Sequence, residues 1–175
     1  SMKGGAYFKP DPRYYNKTLI KDFRAQDPEM GDTDILEMVL PQAKKRGMKT
    51  YVELMEPFFK YAGHGSASAV EVPNLAQCLE IDVYGRTKDE PSTSNPDYRN
   101  WMSSMIEDQV RNYDIDGFMW CNERNSPLDQ MMQGQAPGDF SQASRREAIE
   151  RGIDVEACRR AMINMHEFMQ AAHAG

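Results

Sequence analysis

Glu123 follows the strand-like run Asp116-Gly117-Phe118-Met119-Trp120-Cys121, with Asn122 between them. An acidic side chain at the C-terminal end of a parallel strand is where barrel enzymes place their chemistry. A carboxyl group there serves as general acid or base once burial brings its pKa to the working pH. Arg124 comes next and offers Glu123 a structural ion pair as the plainer alternative. Glu56 closes an earlier apolar run, Tyr51-Val52-Glu53-Leu54-Met55, just ahead of Pro57. It could bind a substrate or fix a loop through a salt bridge, and the residues leave both open. His64 lies in the small-residue stretch Tyr61-Ala62-Gly63-His64-Gly65-Ser66-Ala67-Ser68, which follows that strand. It could touch a ligand or simply be exposed. His166 and His173 fall on a terminal helix and read as surface residues. No His, Asp and Glu cluster has metal-ligand spacing, so the sequence predicts neither metal nor cofactor. It also lacks a glycine-rich phosphate loop and a nucleophile elbow.

The elements that would position these residues follow from caps and periodicity. Asp32-Thr33-Asp34 opens a helix with an acidic first turn, and Lys44-Lys45-Arg46-Gly47 closes it with cations and a stop glycine. A tight turn leads into the strand at 51–55. Asn95-Pro96-Asp97 opens a second helix, which runs to about Tyr113 and feeds the strand that ends before Asn122. Helix, turn, strand and stop is the unit of a parallel sheet. The alternating residues 78–84 read as a further strand, and 131–139 as a Gln- and Gly-rich loop. Ser141 and Asp154 cap two last helices, with Gly152 between them. On the last, Met162, Met165, Phe168 and Met169 form the expected apolar stripe.

The chain has 175 residues, a formal net charge of −6 and a mean hydropathy of −0.72. Its cations are scattered apart from Lys44-Lys45-Arg46 and Arg145-Arg146, which argues against a nucleic-acid partner. No apolar run approaches a membrane span, and no secretory leader is evident. The compartment stays open. Ser1-Met2 reads as the remnant of tag removal ahead of a start codon. The three cysteines, Cys78, Cys121 and Cys158, are widely separated and imply no disulfide framework. The 13 methionines read as flexible core filler.

Several stretches carry a resemblance: Asn95-Pro96-Asp97-Tyr98-Arg99, Glu107-Asp108, Tyr113-Asp114-Ile115-Asp116-Gly117, Glu123-Arg124 with Pro127-Leu128, and Arg151-Gly152-Ile153-Asp154-Val155. Over residues 4–172 the chain resembles uncharacterised bacterial glycoside hydrolases with an α/β barrel, amylase-like or β-galactosidase-like. The Asn122-Glu123 pair is similar to the strand-end pair of retaining enzymes, where Glu is the acid/base and Asn holds a sugar hydroxyl. The resemblance implies a carbohydrate ligand, Glu123 as catalytic residue and Asn122 as a substrate contact; Glu56, Trp120, Arg124 and His64 are further candidate substrate contacts read from the residues themselves. Trp120 would stack on a sugar face. One departure is that the related sequences carry Phe-Cys-x-x-Cys where this chain has Phe140-Ser141-Gln142-Ala143-Ser144.

The expected fold is therefore α/β: a partial (β/α)8 TIM-type barrel over 1–137, with a helical pair over 138–175 as its appendage. A complete barrel needs about 200 residues or more, so the chain reads as a fragment. Glycoside hydrolysis needs two flanking carboxyls, and the second would come from a later strand. The fragment alone is expected to be inactive. Two alternatives remain, a non-catalytic carbohydrate-binding protein and a homo-oligomer formed through unpaired sheet edges.

Overall fold

The computed structural model describes residues 8–20, 33–55, 74–121 and 126–174. Among these residues five helices, α1 (Ile35–Lys45), α2 (Pro96–Asn112), α3 (Pro127–Met132), α4 (Gln142–Glu150) and α5 (Val155–Ala174), combine with four strands. The strands are β1 (Tyr51–Met55), β2 (Leu79–Ile81), β3 (Thr87–Pro91) and β4 (Gly117–Cys121). Short 3-10 helices stand at Pro12–Tyr15 and Leu75–Cys78.

The strands do not build a barrel. Among the described residues they form two separate two-stranded sheets. β1 and β4 pair in parallel, with Tyr51 opposite Gly117 and Met55 opposite Cys121. β2 and β3 pair with each other as an antiparallel hairpin. The expected partial (β/α)8 barrel is thus corrected to a small α/β unit with two unclosed sheets. A helix–turn–strand pattern reports that a strand exists, not how many others join it. The residues read as one strand at 78–84 instead turn at Asp82 to Arg86 and fold back on themselves. There the Asp82 carboxylate accepts from the Tyr84 and Arg86 amides at 2.8 and 2.9 Å. It also pairs with the Arg86 guanidinium at 2.8 Å.

The helix caps follow the sequence. Asp34 accepts from the Glu37 amide at 3.0 Å, and Gly47 takes the left-handed conformation that ends the turn after α1. Asn95 accepts from the Asp97 and Tyr98 amides at 2.9 and 3.3 Å, with Pro96 beginning α2. The Asp154 carboxylate accepts from Ala157, and Gly152 again has positive φ.

The core gathers where α2 meets the two 3-10 helices. Tyr98, Trp101 and Met102 pack with Tyr15, Ile20, Leu75, Cys78 and Leu79. Residues 98, 101, 102, 105 and 108 recur at helical spacing, which turns one face of α2 inward. Ile20 and Leu75 are fully buried, and each such side chain contributes roughly 1.5–3 kcal/mol relative to exposure. Among the side chains described, no member of this cluster lies on β1 or β4. On α5 the inward face carries Val155 and His166 buried, with Arg159, Met162 and Met169 half-buried at matching spacing. Met165 and Phe168 point to solvent instead, so the expected apolar stripe is rotated. No described helix is long and apolar enough to cross a membrane.

Candidate functional site

β1 and β4 run in the same direction and end together, at Met55 and Cys121. The backbone of Trp120 lies in β4, opposite Leu54. Glu56, His64, Asn122, Glu123 and Arg124 follow those strand ends in the chain and lie outside the described residues. The structure therefore neither gathers the sequence-predicted catalytic and substrate residues nor separates them.

The opposite end of this pair is built by Asp116. Its carboxylate accepts from the Thr50 amide at 2.8 Å and the Thr50 hydroxyl at 3.2 Å. Lys44 at 2.8 Å and Lys49 at 3.1 Å complete its shell. The Lys44 ammonium, then the Thr50 amide and Lys49, hold this carboxyl well below the usual carboxylate range. Lys44 also reaches Asp114 at 3.3 Å. The last turn of α1 is thereby clamped to the start of both strands. At Gly117 a Cβ would stand 3.2 Å from the exposed Tyr51 ring, a tight contact that the ring would have to relieve by shifting.

The remaining polar groups serve the main chain in the same way. Asp108 is fully buried. It accepts from the Asp11 amide at 2.8 Å, the Tyr15 hydroxyl at 3.1 Å and the Asn112 amide group at 2.7 Å. Burial, then the Asp108 charge, pushes the Tyr15 phenol far above its ordinary value. Asp34 ties the Lys9 amide at 2.8 Å and the Tyr113 hydroxyl to the cap of α1. Asp139 accepts from the buried Ser92 hydroxyl at 2.6 Å and the Ser141 amide at 2.9 Å, holding the segment before α4 against the hairpin. Ser141 itself caps α4. Lys88 bridges Glu80 at 2.6 Å and Glu90 at 3.2 Å across the hairpin.

These carboxylates are committed to amides, hydroxyls and ion pairs that fix turns and helix ends. Among the described residues no group of three or more His, Cys, Asp or Glu is placed to hold a metal ion. His166 corrects another expectation. It is not a surface residue but is 2% exposed, with Nδ1 2.8 Å from the Tyr84 hydroxyl and Nε2 without a hydrogen-bond partner. Its position on the inward face of α5, in register with Val155 and Met162, was the signal available for it.

The parallel pair itself is what the rest of the described structure leaves unfinished. Parallel sheets are ordinarily covered on both faces, and a lone two-stranded sheet is marginal in water. Tyr51, Glu53 and Met119 are exposed, and Val52, Gly117 and Phe118 are only half-buried. Tyr51 and Met119 keep 63% and 54% of their surface in solvent.

Comparison with family models, characterised proteins and solved structures found no match. The resemblance to glycoside hydrolases is thus without support, and the barrel that carried it is not formed. With it fall the reading of an enzyme, even an inactive piece of one, and the acid/base mechanism drawn from the strand-end geometry.

Proposed function

We propose that this chain is a self-associating module whose parallel strand pair is completed by pairing with a second copy. The observation that carries this is the condition of β1 and β4. None of their six residues of described burial, at 51–53 and 117–119, is buried, and each strand has one edge unpaired among the described residues. An open edge presents a row of amide and carbonyl groups that template another strand. The clamp at Asp116 supports the reading, because it holds both strands in register without covering them. The hairpin β2–β3 is a poorer candidate, since the segment before α4 already bonds to it: Phe140 donates to the Ile81 carbonyl at 2.6 Å and Val83 to the Pro137 carbonyl at 3.2 Å. Sedimentation velocity across a concentration series tests this. The expected result is a mass that rises with concentration to a defined oligomer. A single monomeric species at every concentration overturns it.

A further inference from the structure

Two polar contacts hold the turn of the β2–β3 hairpin to α5. The Arg159 guanidinium donates to the Val83 carbonyl at 2.6 Å, and Nδ1 of His166 stands 2.8 Å from the Tyr84 hydroxyl. Two helical turns separate Arg159 from His166, so both reach the hairpin from one face of α5. Val83 is fully buried and His166 is 2% exposed. The Tyr84 hydroxyl satisfies Nδ1 of a neutral ring in either tautomer, as donor or as acceptor. Nε2 is buried without a hydrogen-bond partner. An imidazolium carries an N–H on both nitrogens. Here it would bury an unpaired N–H together with a full charge, and a buried charge is costly unless it is paired and hydrogen-bonded.

The charges around this contact do not relieve that cost. Arg86 lies over the Tyr84 ring, 5.1 Å from its centroid, and Arg159 ends at the adjoining carbonyl, so the nearest fixed charges are cations. The carboxylates of the elements packed on α5 are engaged elsewhere. Asp82 pairs with Arg86, Asp129 accepts from the Ser126 hydroxyl and Asp139 from Ser92. Glu147 pairs with Arg151 and Glu156 with Arg145. Glu150 and Glu167 are exposed, as are Arg146, Arg160 and His173. Burial, then the Glu167 charge, holds the Tyr84 phenol above its ordinary value, so it stays neutral and supplies no countercharge. We infer that the contact of α5 with the Val83–Tyr84 turn is an acid-sensitive latch, released when His166 takes up a proton. A released ring takes up that proton in water near the ordinary histidine value of about 6.5. Docking is therefore at full strength above that value and weakens below it, by about tenfold between about pH 7.5 and about pH 5.5. The latch is independent of the self-association proposed above.

The test is hydrogen exchange by mass spectrometry on the full chain at about pH 7.5 and about pH 5.5, with labelling times scaled to the intrinsic exchange rate at each pH. Both values lie above the ordinary carboxylate range, so aspartates and glutamates change little between them. Protection over 155–174 and over the turn at 82–86 should fall by about tenfold at the lower pH, while α2 keeps its protection. His166→Phe, and His166→Gln as a second replacement that cannot titrate, should show the same protection of these segments at both pH values. Protection in the wild type that does not change with pH, or a fall of the same size in both variants, overturns the inference.

Discussion

Asp108 is the most demanding test of the view that the buried carboxylates are structural. It has no solvent-exposed surface and accepts three hydrogen bonds, two of which join α2 to the N-terminal segment. Asp108→Ala removes the acceptor of the part-buried Asp11 amide and of the buried Tyr15 hydroxyl. Each buried donor left unsatisfied costs about 1–3 kcal/mol. The Asn112 group lies at the end of α2 and is partly solvated, so it adds little. The expected loss is therefore about 2–5 kcal/mol, a large share of the roughly 5–15 kcal/mol that a domain of ordinary stability possesses. Asp108→Asn keeps the shape and two acceptor lone pairs but presents an NH2 group to one side, so its loss should fall between wild type and Ala. Urea denaturation followed by tryptophan fluorescence reads both, because Trp101 lies in the adjoining core. An Ala variant within about 0.5 kcal/mol of wild type, the range of an ordinary surface substitution, would refute the argument.

Two further outcomes follow from the same geometry. The Asp116 carboxyl is held below its ordinary value in the folded state, so its stabilising effect is present above the unfolded pKa of about 4 and is lost as pH falls through the lower folded value. Acid titration by circular dichroism should show wild type losing structure on acidification below about pH 4, with that component absent in Asp116→Asn; identical acid profiles would show that the clamp does not form. His166 has one ring nitrogen without a partner in a buried place, so His166→Phe should leave the melting temperature near that of wild type: it removes an unsatisfied buried nitrogen, and the Tyr84 hydroxyl that it releases belongs to an exposed residue and can bond to water. A collapse of stability in that variant would mean that Nε2 has a partner essential to the fold.

Local structure was legible in this sequence, and long-range pairing was not. Asp34, Asn95, Ser141 and Asp154 announced the starts of α1, α2, α4 and α5, because a cap is chemistry between residues two or three apart. Gly47 and Gly152 announced stops for the same reason. Ser126-Pro127-Leu128-Asp129 held an equally local signal, a capping box, and the short helix α3 that it opens was passed over. The barrel failed because strand order depends on contacts far apart in the chain. Nothing between Cys78 and Pro91 states whether a strand pairs with its neighbour or joins a distant sheet, and here Asp82 and Arg86 close a turn that decides it. His166 was misplaced because a lone histidine reads as polar until its helical face is fixed, and Arg159, two turns earlier on the same side, disguised that face. Among the candidate residues, Trp120 fell in a strand as expected. Glu56, His64, Asn122, Glu123 and Arg124 lie beyond the described strand ends.

Hydrogen exchange on β1 and β4 tests the central claim most directly. Amides at an unpaired edge exchange freely, whereas amides paired across an interface are protected for as long as the interface holds. Exchange measured by mass spectrometry on the same preparation, concentrated and then diluted, should show protection over 51–55 or 117–121 that falls on dilution, while α2 is unchanged. Exchange over both strands that is fast and independent of concentration would contradict the account.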